Sequence, residues 1–334
     1  MILVTGGAGY IGSHTVVELL NSGHDVLVVD NLCNSSLEII SQIKMITNKS
    51  FLFENFDLSN RDQVFNILSK YPIEGIIHFA AHKAVGESIT NPEKYYKNNI
   101  CSLLNVIALG EKLNVKNFIF SSSATVYGTP QESPIPETHP VINSNSPYGT
   151  TKIMGEKIIS DIALSSKTNY CLLRYFNPIG AHNSGLIGDN PNGVPNNIMP
   201  YITRVAAGNL KELNIFGNDY PTEDGTCIRD YIHVVDLAKG HVKALQSNSK
   251  SKPSIYNLGT GNGVSVLQLI TTFEKVNNIK ISYKFTERRN GDVTSMYANA
   301  NLALQDLNWK AELNLAEMLE SSWNFQKNIK DEWF

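Results

Sequence analysis

Tyr148 and Lys152 stand four positions apart in SPYGTTK, residues 146–152. If a helix starts at Pro147, that spacing puts a phenol and an ammonium on one face about a turn apart. Taken alone, Y-x-x-x-K is far more often a solvated helix face than a catalytic pair, so its surroundings decide. The run NFIFSSS, a predicted strand, ends in Ser121, Ser122 and Ser123, about 25 residues before Tyr148. A strand end and a helix start can converge over one crevice, and such a trio offers proton transfer. A free phenol has a pKa of about 10, and an ammonium roughly 5 Å away at an effective dielectric near 20 contributes about 3 kcal/mol, or about two pKa units, toward ionising it.

The elements that must position these groups are legible as apolar runs. ILVT, DVLVV, GIIHF, NFIFS and YCLLRYF recur through the first half, with helix-period segments between most of them. That alternation predicts a doubly wound α/β fold, a parallel sheet covered by helices on both faces. From residue 178 the texture turns to Gly, Pro and Asn in PIGAHNSGLIGDNPNGVPNN, which reads as a boundary. The expected division is a cofactor domain over residues 1–177 and a smaller mixed α/β substrate domain over 178–334. The run IYNLGTG is one more predicted strand, so segments near 230–260 are expected to return to the first sheet.

TGGAGYIGSH follows the first strand. Gly7, Gly9 and Gly12 satisfy G-x-G-x-x-G, and Gly6, Gly9 and Gly12 the wider G-x-x-G-x-x-G. These spacings give a tight turn, a backbone close enough to touch pyrophosphate and a helix whose N-terminal amides face the anion. The next strand ends in Asp30, near the spacing expected of an acid that binds a ribose diol and repels a 2′-phosphate. NAD is therefore expected rather than NADP. A P-loop is excluded, because no Gly-Lys-Ser/Thr follows. Asp57 in NFDLSN and the run FAAHK fall where strand ends meet the cofactor crevice. An oxidised nicotinamide there would add a second positive charge and bring the Tyr148 phenol near neutrality, where it serves as a general base.

Composition narrows the partners. The chain of 334 residues has 42% hydrophobic residues and a formal charge of -3, with no dense Lys/Arg run, so nucleic acid and anionic membranes are not expected partners. Cys33, Cys101, Cys171 and Cys227 are scattered with no CxxC pair, as suits reduced thiols. His78 and His82 flank a strand end and no carboxylate pattern completes a metal site, so no metal is expected. ILVT begins at residue 2 and no apolar run approaches the roughly 20 residues needed to span a bilayer, so the expectation is a soluble cytoplasmic protein without a leader.

TGGAGYIGSH, FAAHKAVGES, FSSSATVYG, SPYGTTK, LRYFNPIGAH, FGNDYPTEDGT and RDYIHVVDLA, in this order and reaching to about residue 300, resemble the extended short-chain dehydrogenase/reductase family. They look most like its branch that inverts carbon 4 of UDP-hexoses. The resemblance implies a catalytic set of Ser123, Tyr148 and Lys152. It implies that NAD is lined by Gly6, Gly9, Tyr10, Ile11, Gly12, Asp30, Asn31, Asn34, Asp57 and Leu58. Phe79, Ala80, Lys83, Asn98, Tyr148, Lys152, Tyr175 and Phe176 complete that lining. The UDP-sugar would be held by Lys83, Ser123, Asn177, Asn197, Phe216, Arg229, Arg289, Asp292 and Met296. Read independently, Arg229 and Arg289 could fork onto a diphosphate, Asp292 take a ribose hydroxyl and Phe216 pack on uracil, or each could be a surface contact.

The activity so implied is transient oxidation at carbon 4, reorientation of the keto sugar and return of hydride to its opposite face. A related 4,6-dehydratase shares the oxidation but needs an Asp-Glu pair after the strand-end hydroxyl, where this chain has Ala124 and Thr125. A non-catalytic NAD sensor on the same fold would be expected to lose the tyrosine or the lysine. In the family, the fourth residue after the aspartate of R-x-G-D borders the space taken by the carbon 2 substituent. Met296 stands there, with Tyr297 the alternative if the loop is shifted by one; a flexible methionine implies weaker but measurable action on UDP-N-acetylglucosamine and UDP-N-acetylgalactosamine. The resemblance also implies a homodimer formed by YYKNNICSLLNVIALGEKL and the Tyr148 helix.

Overall fold

The computed structural model describes residues 1–141, 143–191, 193, 195, 197–247, 253–289 and 291–329. Its strands are β1 (Ile2–Thr5), β2 (Val26–Val29), β3 (Leu52–Glu54), β4 (Gly75–His78), β5 (Asn117–Ser121), β6 (Asn169–Tyr175), β7 (Asn177–Ile179), β8 (Leu213–Phe216), β9 (Ile228–His233), β10 (Ser254–Leu258), β11 (Gly263–Ser265), β12 (Tyr283–Thr286) and β13 (Ser295–Met296). The helices are α1 (Tyr10–Asn21), α2 (Glu38–Thr47), α3 (Arg61–Leu68), α4 (Val85–Thr90), α5 (Pro92–Leu113), α6 (Pro147–Ala163), α7 (Ile198–Ala206), α8 (Val234–Gln246), α9 (Val266–Asn277), α10 (Asn301–Leu307) and α11 (Leu315–Asn328). No helix among the described residues is long and apolar enough to cross a membrane.

The main sheet has the order β10-β6-β5-β4-β1-β2-β3, and every pairing in it is parallel. β1, β2 and β4 are buried along their whole length because both faces are covered, which is why they read as unbroken apolar runs. Successive side chains alternate between the faces. Ile2 and Val4 join a core with α1, α2 and α8, while Leu3 joins the opposite core with α3, α5 and α6. β10, the predicted IYNL strand, lies beside β6 with Leu258 opposite Tyr175. The list of predicted strands omits β3, a short edge strand whose side chains are exposed or half-buried and so lack the apolar signature.

Beyond β6 the elements continue, but their strands divide among three sheets, which is why the simple alternation fades in the sequence. β9 pairs with antiparallel β11, parallel β13 and parallel β7. β8 and β12 form a separate parallel pair. A third core built from α7, α9, α11 and β8 lies under these strands.

Parallel strands present all their carboxyl ends on one edge, so the chain after Thr5, Val29, His78, Ser121 and Tyr175 gathers there. The turn after β1 depends on missing side chains. Gly6 has φ +68, and a Cβ on Gly12 would sit 2.2 Å from the Gly6 carbonyl oxygen. Gly12→Ala should therefore push α1 off the turn, destabilising the protein by about 1–3 kcal/mol and emptying it of dinucleotide. Thermal melting and the cofactor content of the purified variant check both.

Candidate active site

The first side of the site is the glycine turn. Gly9 caps α1 in an extended conformation and the first turn of α1 carries no acidic residue, which leaves its amides to an anion. The Asp30 carboxylate is held beside this turn, accepting from Ala8 N at 3.1 Å, Leu32 N at 2.9 Å and Ser35 Oγ at 3.0 Å. Asn31 and exposed Asn34 lie on the same loop, and Asn31 Nδ2 donates to Asp57 Oδ2 at 3.4 Å. Burial raises the Asp57 carboxyl, but hydrogen bonds from Ser59 and Asn31 outweigh it and hold the group below its usual value. Buried Leu58 is fixed through its carbonyl, which accepts from Asn105 Nδ2 at 3.0 Å. Ile11 packs into the α1 core, Phe79 lies 4.7 Å from the His241 ring, and a Cβ on Gly6 would meet Ala80 N at 2.8 Å. Tyr10 donates to the Gly180 carbonyl at 2.6 Å, with Lys83 Nζ 5.8 Å from its ring centroid. A cradle closed to side chains, a bare helix terminus and an acid at the end of β2 fit NAD.

Ser123, Tyr148 and Lys152, the expected catalytic set, meet at the next strand ends. Ser146 caps α6, accepting from Gly149 N at 3.2 Å, so Pro147 and Tyr148 open its first turn. Ser123 caps the short 3₁₀ turn Ala124–Tyr127, accepting from Thr125 N at 3.2 Å, and its hydroxyl engages the Tyr148 phenol. Lys152 Nζ donates to the Ser121 carbonyl at 2.6 Å and lies 5.9 Å from the Tyr148 ring centroid. The structure thus brings Ser123, Tyr148 and Lys152 together.

The direction of the phenol shift differs from the expectation. Burial pushes Tyr148 up to about 12, against which the Ser123 bond acts only partly. Burial likewise pushes Lys152 down to about 8, with the Glu156 carboxylate acting the other way. Spacing alone gives the attraction of the ammonium but not the desolvation of the phenol, and desolvation is the larger effect on Tyr148.

Tyr175 is hydrogen-bonded to Ser121 Oγ, and burial raises its phenol. Asn98 Nδ2 donates to its neighbour Asn99 Oδ1 at 2.9 Å, and its carbonyl accepts from Ser102 Oγ at 2.7 Å. Asn99 was missed in sequence: its amide donates to His82 O at 3.1 Å and Thr151 Oγ1 at 3.0 Å, joining the loop after β4 to α6. His78 is buried, bonded to Thr5 Oγ1 at 2.8 Å and pushed down to about 3 by burial, so it is neutral and structural. Among the described residues no group of three or more His, Cys, Asp or Glu is placed to hold a metal.

The opposite wall comes from the later sheets. Arg229 on β9 donates from Nη1 to Ile228 O and Val293 O, both at 2.8 Å, and its Nη2 lies 3.5 Å from Asp292 Oδ1. Arg289 Nη2 reaches the same oxygen at 2.9 Å, and Arg289 Cζ lies 5.5 Å from the Phe216 ring centroid. Arg229, Arg289, Asp292 and 41% exposed Phe216 therefore form one group. Asn177 opens β7 and is exposed. Lys83 and Asn197 converge on Asp189, at 3.8 Å and 3.1 Å. Asp189 was missed in sequence, although it is the single acid in the Gly/Pro/Asn-rich run. Met296 pairs with Arg229 and packs, half-buried, against the small core of Ala124, Val126, Tyr127, Ile135, Phe176 and Ala298. Tyr297 points elsewhere, its hydroxyl donating to Ser133 O at 3.0 Å.

Residues 3–322 match the family described as GDP-mannose 4,6 dehydratase. The chain is 54% identical over 329 residues to the UDP-glucose 4-epimerase of Haemophilus influenzae, covering 98% of this chain and 97% of that one. It superposes with TM-score 0.94 and 48% identity on the UDP-glucose 4-epimerase of Bifidobacterium longum in complex with NAD+ and UDP, covering 98% of each chain. The UDP-Glc/GlcNAc 4-epimerase of Campylobacter jejuni is similar at TM-score 0.85 and 35% identity, over 98% of this chain and 99% of that one. Ala124 and Thr125, with no carboxylate, open the 3₁₀ turn where a dehydratase needs its acid and base. By these matches the chain belongs to the UDP-glucose 4-epimerase branch of the extended short-chain dehydrogenase/reductase family.

Proposed function

We propose that the chain interconverts UDP-glucose and UDP-galactose by inverting carbon 4 through a 4-keto sugar. The observation that carries this reading is that Ser123, Tyr148 and Lys152 gather at the carboxyl edge of the parallel sheet whose first strand runs into the glycine turn, while Arg229, Arg289, Asp292 and Phe216 form a second group on the later strands. Residues 1–177 with α8, β10 and α10 form the cofactor half, whereas β9, expected to return with them, joins the smaller sheets of the UDP-sugar half. When bound, oxidised NAD supplies the hydride acceptor and the positive charge that Ser123 and Lys152 alone do not provide.

The Tyr148 phenolic oxygen takes the proton of the 4-hydroxyl and later returns it. Ser123 donates its hydroxyl to the sugar oxygen, and Lys152 stabilises the phenolate. Arg229 and Arg289, oriented by Asp292, hold the diphosphate while the keto sugar turns over, so the intermediate stays bound without a fixed sugar pose. Lys83 and Asn197, linked by Asp189, close the pocket between the two halves. A homodimer through α5 and α6 is supported by Leu104 and Met154, exposed on these adjacent helices. A cytoplasmic location accords with four free cysteines.

Purified protein given either UDP-hexose, with no added NAD, should produce the other. Tyr148→Phe should lower turnover by about 100-fold or more while UDP-sugar binding survives; near-wild-type turnover in that variant would falsify the assignment. With Lys152 held at about 8, turnover should fall as pH rises past that value, because a neutral amine cannot support the phenolate. A kcat–pH profile that is flat to pH 10 would remove Lys152 from the role.

Met296 packs on the cluster that contains Ala124, the residue after Ser123, and its rotatable thioether can yield to an acetamido group. Weaker but measurable turnover of UDP-N-acetylglucosamine is expected. Comparing both substrate pairs for wild type and Met296→Ser checks this. The variant should shift the ratio toward the N-acetyl sugars, whereas an unchanged ratio means that Met296 is not the gate.

A further inference from the structure

Behind the trio lies a buried ion pair that the proton transfer does not use. Glu156 is 6% exposed and Arg174 4%. Arg174 donates from Nε to Glu156 Oε1 at 2.9 Å and from Nη2 to Oε2 at 2.6 Å. Its Nη1 donates to Glu137 O at 3.1 Å and Tyr127 OH at 3.2 Å. Glu156 Oε1 also accepts from Ser122 Oγ at 2.5 Å. Lys152 and Glu156, one turn apart on α6, thus grip consecutive residues at the end of β5, and the next residue is Ser123.

Stability alone does not account for this arrangement. Two charges taken so far from water lose hydration that their attraction barely restores, and an apolar pair of like volume joins such elements as well. An apolar pair cannot place negative charge near Lys152. The other groups facing Lys152 are its own helix's Tyr148, the neutral His78 of β4, the Ser121 carbonyl and Phe120 ring of β5, and the neutral Tyr175 beside Ser121. Glu156 is the one carboxylate acting on it.

We propose that Glu156, anchored by Arg174, is a positioning residue that fixes the Ser121–Ser123 segment and keeps Lys152 an ammonium at the pH of turnover. This rests on the assignment of Ser123, Tyr148 and Lys152 above. Removing the carboxylate charge must make Lys152 lose its proton at lower pH, since the charge favours the ammonium.

The test compares Glu156→Gln and the charge-balanced Glu156→Gln/Arg174→Met with wild-type holoenzyme. In Glu156→Gln, kcat at neutral pH should fall about tenfold with little change in KM, the signature of a lost interaction felt in the transition state. The alkaline limb of kcat should move down by about one pH unit. The double variant, with no unpaired buried guanidinium, should melt nearer to wild type and keep a limb displaced in the same direction, by less than in Glu156→Gln because the Arg174 charge leaves with the carboxylate. If Glu156→Gln does not fold, the double variant carries the same reading. A stably folded double variant with a wild-type limb, or a loss confined to KM, overturns the proposal. If the wild type shows no limb and Tyr148→Phe remains active, the failure lies with the catalytic assignment and not with Glu156.

Discussion

The relation between the two halves of the molecule depends on one carboxylate. Asp230 is fully buried on β9 and accepts four hydrogen bonds: Thr260 N at 2.9 Å and Thr260 Oγ1 at 2.7 Å on one oxygen, Gly261 N at 3.0 Å and Ala298 N at 3.1 Å on the other. These donors follow β10, the outermost strand of the main sheet, and β13, an edge of the smaller one. A single side chain thereby fixes both sheets to the strand that carries Arg229. The approach is so close that a Cβ on Gly259 would lie 2.5 Å from Asp230 Oδ2. Burial still raises the carboxyl despite its four donors, so desolvation governs this group as it governs Tyr148 and Lys152.

A second seam runs parallel to the first. Asn257 on β10 accepts from Tyr127 OH at 2.6 Å, its amide nitrogen donates to Ile135 O at 2.8 Å, and its backbone N–H is bonded by Glu137 Oε1 at 2.8 Å. Tyr127 in turn meets Arg174, so the seam connects with the ion pair beneath the trio. Polar groups this deep are costly unless satisfied, and each is satisfied by a residue from another element. Rigidity at the carboxyl edge follows, because no member can shift without leaving a buried donor or acceptor unpaired.

What the sequence discloses and what it hides divide along sequence separation. The glycine turn and the Tyr148–Lys152 pair are legible because the local backbone itself demands those types at those spacings. Asn99 meets Thr151 across 52 residues, Glu156 meets Ser122 across 34 and Asp230 meets Ala298 across 68. No periodicity marks such partners, so their roles emerge only when the sheet brings them together. β3 escaped because an edge strand has no fully buried face to imprint an apolar pattern. The phenol shift was misjudged for a different reason: spacing gives a distance to the ammonium but says nothing of how much water the fold removes.

Strand register carries the same dependence into substrate choice. Met296 ends β13 and Tyr297 follows it in extended chain, so the two project to opposite sides and a slip of one residue would exchange them. β13 has only two residues, too few for its own pairing to fix that register. It is held from outside: Ile135 N donates to Tyr297 O at 2.8 Å, Asn299 N to Ile135 O at 2.9 Å, and Ala298 N to Asp230. The Tyr297 ring occupies the space left by Gly263, where a Cβ would meet it at 3.1 Å, so the slipped arrangement would also empty a filled site. The carboxylate that joins the two sheets thus helps decide whether a slim, flexible side chain or a broad aromatic one packs on the core beside Ala124.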